Sequence, residues 1–240
     1  MYYFMYEMET EEYRASWGSG NTSKIVSICE CTSRKTAYEE PIKFQIEGEP
    51  FDYYLIMNRS MISERFYTFL KESGLTGVRF RNAVVQKWNP FRYESEIKLE
   101  DLKYYEMVVT GRCGLLRNMS GITLPHCKKC GRRLAHTGIC TNGVSFDPAS
   151  YDGSDIFTFT NLPNIPIVTE KLRDAIISQG FTNIRFVPLN EKVFDDTFPI
   201  HLIQKRLNEG RASKELIEVW LENGIITPNM IPDNNKPVQE

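Results

Sequence analysis

Residues Met61 to Phe80 can be laid over Ile167 to Phe186 without a gap, each residue 106 positions from its counterpart. Glu64 falls on Glu170, Gly74 on Gly180, Thr76 on Thr182, Arg79 on Arg185 and Phe80 on Phe186. Ile62/Val168, Ser63/Thr169, Arg65/Lys171 and Val78/Ile184 are conservative pairs. Chance likeness between two amphipathic helices would not preserve both ends and the residues that follow. The spacing therefore points to a duplicated module, and to two copies of one local structure.

Each copy reads as a capped helix followed by a strand. Ser63 or Thr169 has a hydroxyl that can accept an amide hydrogen bond at the N-cap, and Glu64 or Glu170 complements the helix dipole. Phe66, Phe69 and Leu70, like Leu172, Ala175 and Ile176, recur at i, i+3 and i+4 and form one core-facing stripe. Gly74 and Gly180 stop the helices, and Val78 to Phe80 or Ile184 to Val187 follows as a strand. Capping and surface charge account for the paired Glu and Arg without a charged site. Alternating runs at Tyr2 to Tyr6, Ile25 to Ile28, Ile42 to Ile46, Tyr53 to Met57, Ala83 to Lys87 and Tyr104 to Thr110 add strands. Ser213 and Gly224 enclose Leu216, Ile217, Val219, Trp220 and Leu221 as a further helix. From Thr227 a tail rich in Pro and Asn should fray unless Ile226 and Met230 pin it.

The expected fold is α+β, with two duplicated helix-strand modules, a mainly antiparallel sheet and a cysteine-rich insert resembling a zinc knuckle. The expected divisions are 1–110 and 146–227 for the modules, 111–145 for the insert and 228–240 for a flexible tail. A chain of 240 residues with 41% hydrophobic and 12% aromatic residues can bury such a core unaided.

The chemistry lies between the repeats. Cys127-Lys-Lys-Cys130-Gly is preceded by Cys113 and followed by His136 and Cys140. A C-x2-C pair lets two thiolates from one tight turn reach the same tetrahedral ion, and the following Gly lets the turn close. Cys113, Cys127, Cys130 and Cys140 are the expected ligands of a structural zinc, with His126 or His136 as substitutes for an outer one. The competing reading is unmetallated thiols on a loop. Cys29 and Cys31 stand too close together for an easy common turn on one metal and are expected as small buried residues, with a second, degenerate metal pocket as the alternative. Between positions 111 and 140 the charged side chains are all basic: Arg112, Arg117, Lys128, Lys129, Arg132 and Arg133.

Other motifs are missing. There is no P-loop, no G-x-G-x-x-G opening a helix, no G-x-S-x-G elbow and no H-E-x-x-H. Three histidines leave little material for a hydrolytic metal site or for a base beside a nucleophilic cysteine. Asp147, Asp152 and Asp155 read as a solvated loop. No enzyme is expected. With no apolar run of about 18 residues and an acidic start lacking the regions of a signal peptide, the expected location is the cytoplasm, without a membrane partner.

The order Cys113, Cys127-Lys-Lys-Cys130-Gly131-Arg132, Asp155-Ile156-Phe157, Thr169-Glu170-Lys171-Leu172 and Gly180 through Pro188-Leu189 resembles the double-CXXCG-motif immunity proteins of bacterial toxin systems. The likeness spans roughly 102 to 190. One full cysteine motif is present; in place of the N-terminal one stands Cys29-Glu-Cys31. The Asp-Ile-Phe triplet and the Thr-Glu-Lys helix start are also similar to a wider immunity family without the cysteines. The resemblance implies an antitoxin that binds and blocks one cognate secreted toxin domain and needs no catalytic residue. Glu7, Glu9, Glu11 and Glu12 are candidates to meet a basic toxin face, with Tyr13, Trp17 and Trp88 as exposed aromatics or partly buried core. The alternative is a zinc-knuckle nucleic-acid binder using the six basic side chains against phosphate. Against it, no aromatic lies between 111 and 145 to stack a base.

Overall fold

A computed structural model of the chain describes residues 1–8, 14–29, 31, 33–90 and 97–232. Its first half contains β1 (Tyr2–Glu7), β2 (Arg14–Trp17), β3 (Ser23–Ile28), β4 (Arg34–Tyr38), β5 (Ile42–Glu47), β6 (Tyr53–Ile56), β7 (Arg59–Ser63), α1 (Glu64–Glu72), β8 (Val78–Asn89) and β9 (Lys103–Val109). Its second half contains β10 (Gly111–Cys113), β11 (Arg117–Asn118), β12 (Cys140–Asn142), β13 (Val144–Ser145), β14 (Ile156–Phe159), β15 (Leu162–Thr169), α2 (Glu170–Ser178), β16 (Ile184–Pro188), β17 (Val193–Asp195), α3 (Ile200–Asn208) and α4 (Lys214–Glu222). The class is α+β, dominated by sheet. A six-stranded sheet runs β2-β5-β8-β9-β7-β6 and a five-stranded one β10-β14-β15-β1-β16, while β3 and β4 form a separate hairpin. Apart from β5 with β8 and β10 with β14, the pairings are antiparallel.

Residues 61–80 and 167–186 adopt the same local structure, the end of a strand, a capped helix and a further strand. Phe66 N donates to Ser63 Oγ at 3.2 Å and Leu172 N to Thr169 Oγ1 at 3.4 Å, capping two helices of nine residues each. Gly74 and Gly180 take φ of 65° and 62°, the left-handed conformation that ends a helix at low steric cost when no Cβ is present. Phe66 and Leu70 of α1 and Leu172 and Ile176 of α2 are buried in one shared cluster with Tyr53, Ile62, Ile156 and Val168. Each fully buried side chain of this size contributes roughly 1.5–3 kcal/mol of transfer free energy. The strand expected at Val78 to Phe80 runs on through the one expected at Ala83 to Lys87 as a single β8.

Sequence pattern does not reveal the neighbours of these strands. Between β7 and β8 lies β9, with Ser63 opposite Tyr104 and Phe80 opposite Met107. Between β15 and β16 lies β1, with Thr169 opposite Tyr2 and Phe186 opposite Met5. Tyr2-Tyr3-Phe4-Met5 and Tyr104-Tyr105-Glu106-Met107 thus occupy corresponding places, each a central strand antiparallel to both neighbours. The first strand of the chain sits in the second sheet, across the boundary expected at 110. The segment expected as an insert is likewise tied in: β10 joins the five-stranded sheet, β11 pairs with β13 and β12 with β17.

Several side chains differ from expectation for plain physical reasons. Glu7 is turned inward, its carboxylate accepting from Leu55 N at 3.2 Å and Asn183 Nδ2 at 3.1 Å, because it ends a strand wedged between two others. It is not free to meet a partner. Glu9, Glu11, Glu12 and Tyr13 lie outside the described residues. Trp17 packs edge-on against Tyr38, and Trp88 Nε1 donates to Gly48 O at 2.8 Å, so both have structural roles. Asp147 caps Ala149 N, Asp152 accepts from Arg112 N at 2.6 Å and Asp155 from Thr76 N at 3.0 Å. The expected solvated acidic loop instead supplies turn acceptors. The helix α3 was not expected; with α4 it buries Ile203, Leu207, Leu216, Ile217 and Trp220, and Ile226 and Ile231 pin the tail onto them. Met230 packs against the same cluster from its edge.

Candidate metal centre

The β3–β4 hairpin projects from the six-stranded sheet and is exposed along the whole of β3. Its tip is closed by Cys29 N donating to Ser33 O at 2.9 Å. Cys29 directly follows β3 and Cys31 lies in the turn, and their sulfurs come within 4.8 Å of each other. Cys29 and Cys31 can therefore aim their sulfurs at one point. The C-x2-C turn supplies that point from the other half of the molecule. Cys127 N donates to Arg132 O at 2.9 Å and Gly131 N to Cys127 O at 2.8 Å, which folds the Cys127 to Arg132 segment back on itself. Gly131 takes φ 75°, and a Cβ there would lie 2.8 Å from Thr160 Cγ2, so glycine is needed for both conformation and space.

The four ligand atoms of Cys29, Cys31, Cys127 and Cys130 all lie within 4.8 Å of one another. Cys29 and Cys127 sulfurs are 3.7 Å apart and those of Cys31 and Cys130 are 3.5 Å apart. These separations are far longer than a disulfide bond of about 2.05 Å. They match the edge of about 3.8 Å of a tetrahedron whose centre binds sulfur at about 2.3 Å. Four cysteines thus form a set able to hold one metal ion.

The set differs from the expected ligands in half its members. Cys113 is 2% exposed, its strand alternating so that the thiol faces Leu116, Phe157 and Phe159; its sulfur is 3.7 Å from Ser150 Oγ, and burial pushes its pKa up. Cys140 is exposed on β12, opposite Asp195. Neither belongs to the cluster. His126 Nδ1 lies 3.0 Å from Leu124 O and the His136 ring packs on Phe198, and neither histidine is a member of the cluster. The available signal for Cys29 and Cys31 was their i, i+2 spacing, but their partners stand about a hundred residues away in sequence, where no local pattern reaches.

The surroundings suit thiolates held by a cation. Cys127 is fully buried against Leu134, Ile203, Leu216, Ile217 and Trp220, with Cys29 and Cys31 at the edge of that cluster. Burial raises the Cys127 thiol, opposed by the Cys130 and Lys129 amides pointing at its sulfur. Desolvation of its sulfur, opposed by the Arg132 amide and reinforced by the neighbouring thiols, pushes Cys130 up to about 12. For Cys31 burial also raises the pKa, but hydrogen bonds from Ser33 and from the thiols of Cys130 and Cys127 outweigh it and bring the value down to about 7. Cys31 is thus pushed toward ionisation while Cys127 and Cys130 are pushed away from it, as expected when like charges crowd one site. A divalent cation removes that conflict and displaces the protons.

Four thiolates fill a tetrahedral shell and leave no position for a reacting water. An ion held there would be coordinatively closed and would tie together the hairpin tip, the Cys127 turn and the α3–α4 cluster. No family model and no curated protein matches the chain. Among the described residues no helix is long and apolar enough to cross a membrane.

Proposed function

We propose that Cys29, Cys31, Cys127 and Cys130 bind one structural zinc ion, and that the chain is a non-catalytic cytoplasmic immunity protein that blocks one cognate toxin domain. All-thiolate, tetrahedral donor sets favour zinc among the common divalent ions. The observation that carries the reading is the meeting of two cysteine pairs, one from each half, in one site. The resemblance to a family with two cysteine motifs supports the reading, with Cys29-Glu-Cys31 standing where the first motif would be.

The same reading includes an ancient tandem duplication. One unit runs from β1 to β8 and the other from β9 to β16, each with a leading strand, a cysteine pair, a hairpin, a capped helix and a closing strand. The leading strands are exchanged, so that β1 lies in the second sheet and β9 in the first. Support comes from the gapless alignment of the helices and from the matching positions of Tyr2 and Tyr104, and of Met5 and Met107.

The nucleic-acid reading draws less support. Arg133 pairs with Asp196, Lys128 with Glu218, Arg117 with Asp147, and Arg112 donates to Thr158 Oγ1, so these basic side chains near the cysteines are engaged within the chain. The immunity reading is tested by co-expression with the C-terminal domain of a large secreted protein encoded beside this chain. Survival of the cells and co-elution of the two proteins are expected. Survival without any binding would sink the blocking mechanism, and death of the cells would sink the immunity reading.

A further inference from the structure

A cleft of about 370 Å³ opens between the β3–β4 hairpin, the six-stranded sheet and the cysteine turn. That is near the low end of ligand clefts, which span about 300–1,000 Å³. It has room for one or two side chains. Its lining includes Arg34, Tyr38, Met57, Arg59, Glu106 and Arg132. Glu106 is 3% exposed and is neutralised by ion pairs with Arg59 and with Arg81, the latter at 3.5 Å. Arg34 and Arg132 have no ion-pair partner among the described residues. The cleft therefore carries an excess of positive charge presented by two available guanidinium groups.

Both available arginines are placed by the thiol cluster. Arg34 starts the strand that leaves the tip holding Cys29 and Cys31, and Arg132 closes the turn holding Cys127 and Cys130. Beside the cleft, the hairpin face that carries Arg34 is also apolar. Ile28 pairs across the hairpin with Arg34 and Ile25 with Thr36, and directly opposed residues project from the same face. Ile25 and Ile28 are 47% and 62% exposed, and Met57 on the rim is 67% exposed.

We propose that this cleft docks an acidic loop of a partner protein, with Arg34 and Arg132 receiving an Asp or Glu side chain and Ile25, Ile28 and Met57 packing its aliphatic neighbours. The proposal rests on the immunity reading for the identity of that partner, and it assigns the partner an acidic face. Arginine forks match carboxylates in geometry, and arginine beside exposed aliphatic surface is the composition of interface anchors. A nucleic acid fits less well: Tyr38, the one aromatic in the lining, is covered by the Arg59 guanidinium at 4.3 Å and gives no stacking platform.

The test uses full-length, zinc-loaded protein titrated with a short peptide alternating Asp and Leu. Its Asn-for-Asp counterpart, inorganic phosphate and a single-stranded oligonucleotide are titrated alongside. The Asp peptide should bind, lose affinity with added salt, and bind about tenfold more weakly to Arg34→Gln and to Arg132→Gln, both of which should keep their metal and circular dichroism. Equal binding by the variants, no binding by the wild type, or preference for phosphate or the oligonucleotide would each overturn the proposal. A doubly substituted protein that loses the peptide yet still protects against the toxin would overturn the cleft as the toxin's dock and leave the immunity reading standing. Wild-type protein that binds the peptide but fails to protect would instead remove the immunity reading.

Discussion

Asp52 and Thr182 clasp the two halves of the molecule: Asp52 Oδ2 accepts from Thr182 N at 2.9 Å and from its hydroxyl at 3.0 Å, while Asp52 N donates to that hydroxyl at 3.0 Å. Asp155 and Thr76 repeat the arrangement in the opposite sense, with Thr76 N at 3.0 Å, its hydroxyl at 3.1 Å and the returning Asp155 N at 3.2 Å. Each carboxylate precedes one hairpin and binds the threonine that follows the other helix. Asp52 also binds Ser63 Oγ at 2.7 Å and Arg65 Nη2 at 2.6 Å.

Asp52→Asn should therefore destabilise the fold more than Asp155→Asn. Its carboxylate is nearly buried and loses charge-assisted bonds worth about 1.5–3 kcal/mol, whereas the half-exposed Asp155 should lose about 1 kcal/mol. Urea unfolding midpoints measure both. Equal losses would show that Arg65 and Ser63 add nothing to the clasp.

The pH dependence has a definite sign. Burial would raise the Asp52 carboxyl, but hydrogen bonds from Arg65, Ser63 and Thr182 outweigh it and hold the pKa below its ordinary 3.8. Its stabilising effect is complete above the unfolded value and is lost as pH falls through the lower folded one. The gap between wild type and Asp52→Asn should close in acid, at pH below about 3.9. Glu7 behaves oppositely: burial raises its pKa above 4.5, so the folded state favours the protonated form. Its contribution is present below the unfolded value and lost as pH rises through the folded one. Relative to wild type, Glu7→Gln should gain stability as pH rises above 4.5, and a gap that does not change with pH would contradict the buried placement.

Metal content separates the observed ligand set from the expected one. Purified wild-type protein should carry about one equivalent of zinc. Cys29→Ser, Cys31→Ser, Cys127→Ser and Cys130→Ser should each lose most of it, while Cys113→Ser and Cys140→Ser should retain it. Elemental analysis of protein never exposed to chelator gives the answer, and retention by Cys31→Ser would remove the hairpin from the site.

Chelation should act locally. Removing the ion unlinks the hairpin tip from the Cys127 turn and from the α3–α4 cluster, but leaves the shared core around Phe66 and Leu172 intact. Amide exchange should speed up in residues 23–38 and 200–226 and change little in β7, β9 and β15. Uniform acceleration would mean that the ion supports the whole fold.

The interior of the shared core should be the most sensitive place for truncation. Phe66 is fully buried and stacks on Phe181 at 4.4 Å, joining the helix of one half to the loop of the other. Phe66→Ala should cost about 3–5 kcal/mol, and Leu172→Ala about 2–5 kcal/mol. Thermal or urea unfolding of the two variants measures this, and a loss below about 1 kcal/mol would place the core elsewhere.

The sequence alone determined what depends on near neighbours along the chain: the caps at Ser63, Thr169 and Ser213, the glycine stops, the apolar stripes, the Cys127 turn and the existence of most strands. A hydroxyl finds an amide three residues on, and a stripe at helical spacing needs no knowledge of what it packs against. Only the tertiary structure decided which strand lies beside which and which thiols meet. Period-two alternation gives Tyr2 to Glu7 two faces but names no partner, so its insertion between β15 and β16 could not be read in advance. Cys113 and Cys127 look alike as letters, yet strand pairing turns one into an apolar core. The other is placed where a hairpin from the far half of the chain delivers Cys29 and Cys31. Metal ligation is set by distances of a few ångströms in space, and spacing in sequence predicts them only when a single turn supplies all the donors.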